Sequence, residues 1–265
     1  RPELVPYFEA RDVIFWETTR ACALKCIHCR ATAQPFRHSL ELSTLEGFRL
    51  LDDLASFSPT PIVILTGGDP FMRRDLPDLL DHGMKLGLRM SLSPSVTKMV
   101  TRESLLELKN LGLSRLAFSL DGASSQIHDA FRGMRGSFDQ TLARIEDALD
   151  VGLSLQINTT VSHFNLEDLP RIAELLCTFP RIVLWDLFFL VPTGRGQQDD
   201  VISPEEHEKV YEWLYTISCS VPFGIKTTLG QHYRRFVLQK ALYEQRSLKE
   251  AWSRSIAHYS TNDGK

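Results

Sequence analysis

The sequence predicts an α/β fold, a partial (β/α)6 TIM-like barrel followed by a short C-terminal helical and strand extension. Three observations carry that expectation. A helix-glycine-strand junction recurs at Leu86-Gly87-Leu88, Leu111-Gly112-Leu113 and Val151-Gly152-Leu153, and glycine supplies the left-handed residue on which helices end. Six mostly apolar runs, over 13–18, 61–66, 88–92, 114–120, 153–161 and 182–190, read as strands of a parallel sheet buried on both faces. At 265 residues, with 43% hydrophobic and 24% charged, the chain can bury a full core and has the length of an α/β barrel.

The intervening helices carry their own start signals. Ser43 with Glu46, and Ser137 with Gln140, have capping-box spacing, in which side chain and backbone satisfy each other at a helix N-terminus. After Ser137, the positions of Phe138, Leu142, Ile145 and Leu149 form one apolar stripe to lay on a sheet. Right-handed crossovers then bring the C-terminal end of every strand to one rim, where such folds build their sites from loops. Beyond about Ser203 the pattern changes to a helix over 204–218, a strand-like piece over 223–228 and a charged helical stretch over 234–253. The expected organisation is an N-terminal arm over 1–12, a core over 13–200 and an extension over 201–265.

A net charge of −3 gives no global basic field, so composition does not point to nucleic acid. No apolar run reaches the ~18 residues of a membrane span, and the first eleven residues are too polar for a signal peptide. A soluble, cytoplasmic protein without a membrane partner is expected. The five cysteines are odd in number and unevenly spread, which argues against a disulfide framework. Cys177 and Cys219, in apolar helical contexts, read as small core residues.

The other three cysteines fall in Cys22-Ala23-Leu24-Lys25-Cys26-Ile27-His28-Cys29, directly after the first strand. Three soft thiolates this close grip one compact metal site. A cubane of four irons held by three thiolates leaves one iron open to a ligand. The alternative is zinc, with His28 completing a Cys3His tetrahedron; neighbouring ligands such as His28 and Cys29 rarely point at one ion.

The C-x3-C-x2-C run, with the ring of His28 before the last cysteine and a first strand ending Trp16-Glu17-Thr18-Thr19-Arg20, closely resembles the radical S-adenosylmethionine (SAM) superfamily. The resemblance spans about 13–236. It implies a 4Fe-4S cluster on Cys22, Cys26 and Cys29, SAM chelated at the open iron, and His28 near the adenine. It also implies reductive cleavage of SAM to a 5′-deoxyadenosyl radical that takes hydrogen from a substrate, with electrons from a flavodoxin or ferredoxin. SAM-binding barrels without turnover, and zinc- or cluster-bearing binding modules, are the rival readings.

Other rim loops fit the same expectation. Gly67-Gly68-Asp69-Pro70 follows the second strand, where the family typically has Gly-Gly-Glu-Pro and binds the methionine amino group; its glycines allow close approach to backbone. Asp69 departs from that pattern, which matters little if the contacts are made by backbone. Ser119-Leu120-Asp121-Gly122 resembles the family's Ser-x-Asp-Gly element, and Arg132 follows it; a carboxylate takes ribose hydroxyls and a guanidinium forks onto the SAM carboxylate. A capped turn with a surface arginine is the plain alternative.

Ser93 and Ser95 after the third strand, Asn158 and Thr160 in the fifth, and Val191-Pro192-Thr193-Gly194-Arg195-Gly196 after the sixth complete the candidate SAM-binding rim. The last segment is similar to those of haem-biosynthesis-like and peptide-modifying members. His232-Tyr233-Arg234-Arg235-Phe236 reads either as an anion or peptide contact or as a solvated helix face. Cys177 and Cys219 are too few for the auxiliary clusters of a SPASM or twitch region, so the chain is expected to stop short of one. A peptide substrate is preferred here over a small molecule of tetrapyrrole type.

Overall fold

A computed structural model describes residues 12–218 and 220–244. Seven strands run parallel in one sheet in the order of the sequence. They are β1 (Val13–Thr19), β2 (Ile62–Gly67), β3 (Arg89–Leu92), β4 (Arg115–Ser119), β5 (Leu155–Val161), β6 (Ile182–Phe189) and β7 (Gly224–Thr228). The connecting helices are α1 (Thr44–Ala55), α2 (Leu76–Lys85), α3 (Arg102–Leu111), α4 (Ser125–Arg132), α5 (Ser137–Asp150), α6 (Leu169–Cys177) and α7 (Pro204–Ile217), with α8 (His232–Tyr243) after β7. All six expected strands are present, their ends moved by a residue or two. Gly87, Gly112 and Gly152 all hold positive φ, at 80°, 93° and 79°.

The extension continues the barrel. β7 hydrogen-bonds along β6 with Asp186 opposite Lys226, and α7 makes the crossover. The strand lacks an apolar run because its inward side chains are polar: the Lys226 ammonium lies 2.9 Å from the Asp186 carboxylate, and the Thr228 hydroxyl donates to the same group. Only a folded sheet brings 186 and 226 together.

The sheet has two unlike faces. Trp16, Val63, Leu65, Met90, Leu92, Leu116, Phe118, Leu155, Ile157, Trp185, Leu187 and Ile225 join one apolar core with the helices. Trp185 is fully buried there and donates its indole N–H to the Thr159 hydroxyl at 2.8 Å. Strand side chains alternate, so Phe15, Glu17, Ile64, Ser91, Ser93, Ala117, Ser119, Asn158, Thr160, Asp186, Phe188 and Lys226 line the opposite, concave face. That face is open as well as polar: Phe15 is 58% exposed. The expectation of strands apolar on both sides therefore holds for the helix-covered face, while the concave face departs from it.

Helix starts repeat the division between legible and hidden. Ser43 and Glu46 form the expected capping box at α1. Ser137 does not cap α5; it lies one residue inside, buried, with its hydroxyl 3.3 Å from His128 Nε2. The carboxylate of Asp129, at the end of the preceding helix, accepts from the Gly136 and Phe138 N–H groups at 2.6 and 2.7 Å instead. The stripe Phe138, Leu142, Ile145 and Leu149 packs on the sheet as expected, joined by Ala148. Cys177 is exposed at the end of α6 and is no core residue; Cys219 lies outside the described residues, as do the arm over 1–11 and the stretch beyond 244. Among the described residues no helix is long and apolar enough to cross a membrane.

If Asp129 is the cap of α5, Asp129→Ala lowers unfolding free energy by about 1 kcal/mol, while Gln140→Ala stays within about 0.5 kcal/mol. Urea denaturation of the two variants measures both; equal losses would return the cap to the Ser137–Gln140 pair.

Candidate SAM and cluster site

The cysteine loop has little regular structure of its own. It closes on itself where Cys22 N–H donates to the Gln34 carbonyl at 2.8 Å and Gln34 N–H to the Arg20 carbonyl at 3.0 Å. Cys22, Leu24 and Cys26 form a small apolar nucleus against Cys29, Ala33 and Met134, separate from the main core.

Three neighbouring segments then hold the loop by its backbone. After β2, Gly68 N–H donates to Thr19 O and Asp69 N–H to Ala21 O, both at 2.7 Å. A Cβ at Gly68 would lie 2.3 Å from Ala21 O, and one at Gly67, whose φ is +128°, 2.4 Å from Thr19 O. At the end of α4, Ile27 N–H donates to Phe131 O at 3.0 Å, and Gly133 (φ +66°) presses so close that a Cβ would meet Lys25 O at 2.5 Å. After β6, Gly194 (φ +64°) would place a Cβ 2.3 Å from Cys29 O. Beside it the Arg195 guanidinium donates to Cys26 O at 2.8 Å and Ala33 O at 3.2 Å. The glycines at the rim thus admit the cysteine loop itself.

Cys22, Cys26 and Cys29 line one cleft with His28, Gly67, Gly68 and Arg132. Burial pushes the Cys22 and Cys26 thiols up; the hydrogen bond with Ser95 (3.3 Å) opposes this at Cys22, and the Arg132 cation opposes it at Cys26. A bound metal would reverse the balance, since a coordinating thiol is deprotonated outright. Burial, then the Arg132 and Arg195 cations, push His28 down to about 3, so its imidazole is neutral; its ring packs against Phe131 with centroids 4.4 Å apart and planes tilted by 37°.

The residues present fit a bound group. His28 Nδ1 and Arg195 Nη2 are buried beside the cleft with no hydrogen-bond partner among the described residues, a condition native interiors seldom leave unanswered. Among the described residues no three His, Cys, Asp or Glu side chains converge closely enough to hold a single ion. A closed Cys3His zinc tetrahedron has no geometric support, whereas a multi-iron cluster needs its thiolates spread around it.

Of the sequence-derived candidates, Cys22, Cys26, Cys29, His28, Gly67, Gly68, Arg132 and Val191 face this cleft. Asp69, Pro70, Ser93, Ser119, Asp121 and Asn158 do not line it. Asp69 is buried and accepts from Phe71 N–H and the Thr97 hydroxyl, each at 3.2 Å, and burial pushes it up to about 6. Pro70 opens the short turn that Asp69 caps. Asp121 is buried, and its two oxygens accept from protein donors, one from Thr160 N–H at 2.8 Å and the other from Arg132 at 3.2 Å. Ser93 and Ser119 face the concave side at the strand ends without lining the cleft, and Asn158 Oδ1 accepts from Gln156 at 2.7 Å.

Ser95 and Thr160, candidates alongside Ser93 and Asn158, do lie in the cleft, with Phe188, Leu190 and Leu229. Leu229 had one weak signal, its place after a strand; its left-handed backbone (φ +61°) is invisible in sequence. The 232–236 segment reads as a helix face: Tyr233 is buried and Arg235 pairs with Glu208.

Comparison with known proteins agrees with this geometry. The family model described as the radical SAM superfamily matches residues 16–176. The chain is 41% identical over 234 residues to the AdoMet-dependent heme synthase of Oleidesulfovibrio alaskensis, covering 88% of this chain and 60% of that protein. It is 37% identical to the Fe-coproporphyrin III synthase of Methanosarcina barkeri over 78% of this chain and 51% of the relative. It is 30% identical to the mycofactocin maturase MftC of Mycolicibacterium smegmatis, over 80% and 55%. In fold it is similar to Streptococcus suis SuiB bound to S-adenosylmethionine, with TM-score 0.68 at 15% identity over 83% of this chain and 51% of that one.

Two outcomes follow from the packing. Gly194→Ala sets a methyl against Cys29 O, so anaerobic reconstitution should load far less iron than wild type. Gly87→Ala, at φ +80° with open space around it, should cost about 1 kcal/mol and load normally; equal loading by both would refute the role of the close approach. The raised Asp69 means the folded chain keeps a proton the unfolded chain releases. In the cluster-free protein stability should therefore fall as pH rises from about 4 to about 6, and Asp69→Asn should flatten that fall in melts across the range.

Proposed function

The chain belongs to the radical SAM superfamily, and on that premise we propose that it cleaves SAM reductively and directs the radical at a haem-type tetrapyrrole. The observation that carries the reading is the single cleft in which three thiols, a buried arginine and two unpartnered polar atoms meet. Cys22, Cys26 and Cys29 would hold a 4Fe-4S cluster, which when bound supplies the electron that splits SAM into methionine and the 5′-deoxyadenosyl radical.

The protein's own part is positioning. Arg132 faces the cleft with Asp121 behind it, so one nitrogen is anchored by that ion pair and the rest of the guanidinium fork is left for the SAM carboxylate. Neutral His28, backed by Phe131, offers a flat ring and a free nitrogen to the adenine. The N–H groups of Gly68 and Asp69 are already spent on the cysteine loop, which leaves carbonyl oxygens of that segment for the SAM ammonium. Ser95 and Thr160 add hydroxyls, and Val191, Phe188 and Leu190 form an apolar wall that excludes water from a radical.

The tetrapyrrole is favoured over a peptide because relatives 37–41% identical are named AdoMet-dependent heme synthase and Fe-coproporphyrin III synthase. The peptide reading rests on the 30% likeness to the mycofactocin maturase MftC. The chain spans 60% of the length of the first of these relatives, so the activity of a whole protein is part of the proposal. A flavodoxin or ferredoxin as donor, and a cytoplasmic location, suit an oxygen-sensitive centre built on unpaired thiols.

The test is anaerobic incubation of the reconstituted protein with SAM and dithionite. Formation of 5′-deoxyadenosine is expected, lost in Cys26→Ala and, at limiting SAM, reduced about tenfold or more in Arg132→Ala. Purified chain carrying about one zinc, with no iron-sulfur absorption in the visible, would overturn it.

A further inference from the structure

The concave face carries few charges, and they are not evenly matched. Glu17 is paired with Arg30, and Asp186 with Lys226. Arg89 and Arg115 face the same side, shown by their alternation with the helix-facing Met90 and Leu116. Both are half-buried. Yet neither has a hydrogen bond or ion pair among the described residues, unlike Arg73 with Asp75 (2.6 Å), Arg132 with Asp121 (3.2 Å) or Arg144 with Asp147 (2.8 Å).

We propose that Arg89 and Arg115 form an anion subsite on the floor of the barrel that receives a carboxylate arm of the substrate.

Two guanidinium groups drawn partly out of water beside each other are a standing cost. Burial, and then the positive charge of Arg89, push Arg115 below its ordinary value. A carboxylate removes both penalties and accepts several N–H donors at once, which is the geometry guanidinium favours. Register sets the pair diagonally on adjacent strands: Arg115 of β4 lies opposite Ser91, the next position after Arg89 on the same face of β3. At ~3.3 Å per residue, Arg89 is about 13 Å below Ser93 at the rim.

The face between is polar without charge, lined by Ser91, Ser119 and the hydrogen-bonded Gln156–Asn158 pair. A ligand that reaches the floor while its other end lies by the cysteines must be long and acidic at its far side. The inference rests on the proposed function for its substrate, and it adds what that substrate must carry. A porphyrin with peripheral carboxylates meets the requirement; so does a peptide with an acidic side chain.

The test uses the reconstituted holoprotein and reads binding without turnover, by absorption titration with coproporphyrin and with its fully esterified form. A glutamate-containing peptide is titrated calorimetrically in parallel. Wild type should bind coproporphyrin at least tenfold tighter than the ester, and Arg89→Met and Arg115→Met should each lose about tenfold or more for the acid and little for the ester. Melting of the ligand-free variants is the second readout. Removing an unpaired guanidinium should leave Tm unchanged or raise it, which separates a ligand subsite from a structural role.

Each outcome is decisive. Coproporphyrin bound equally by wild type and both variants refutes the subsite and leaves the tetrapyrrole reading standing. Arginine-dependent binding of the acidic peptide alone keeps the subsite and refutes the tetrapyrrole. Lower Tm with unchanged binding makes the arginines structural, and no binding of either ligand by wild type overturns both.

Discussion

The structure depends on how closely foreign backbone approaches the cysteine loop. A loop of this kind cannot place three thiols by local hydrogen bonding alone, because it has no ladder and no helix to fix its dihedrals. It is fixed from outside, by the turn after β2, the end of α4 and the turn after β6. At each contact a carbonyl of the loop sits where a side chain would otherwise begin, at Gly68, Gly133 and Gly194. Arg195 extends the last contact by donating to two more loop carbonyls. Each hydrogen bond contributes about 1 kcal/mol; together they leave the loop one conformation.

That arrangement ties the barrel to the site. The three holding segments come from βα units that only sheet order brings to one rim. The apolar core beneath them, with Trp185, Phe118 and Met90 fully buried, supports the strands from which the rim loops leave. The same logic places charge. Asp121, buried beneath the rim, holds Arg132 toward the cleft, and Thr160 N–H keeps the carboxylate from turning away. A charged group in the cleft is thus aimed by one that never reaches it.

How much was legible varied with the range of the interaction. Cys22, Cys26 and Cys29 declared themselves by spacing, and Gly87, Gly112 and Gly152 by their junctions, since both signals are local. The choice of Ser95 over Ser93, or Thr160 over Asn158, was hidden because it turns on where a strand stops and its loop bends. Ser137 differs for a related reason: its spacing to Gln140 is right, but the turn at Gly133 brings the start of α5 back to the Asp129 carboxylate, which takes its N–H groups. Gly68 is legible as a point of close approach, yet what approaches is protein.

The sequence by itself determined the βα succession, the helix-side apolar stripes and the identity of the three thiols, because those follow from periodicity and spacing along one stretch of chain. Tertiary structure alone decided that 224–228 pairs with β6 as a seventh strand of the barrel, that Asp121 serves Arg132, and that Arg89 and Arg115 share a face without a counter-ion among the described residues. Each of these is a relation between residues far apart in the chain. Burial and charge pairing across strands exist only once the sheet has brought the partners together.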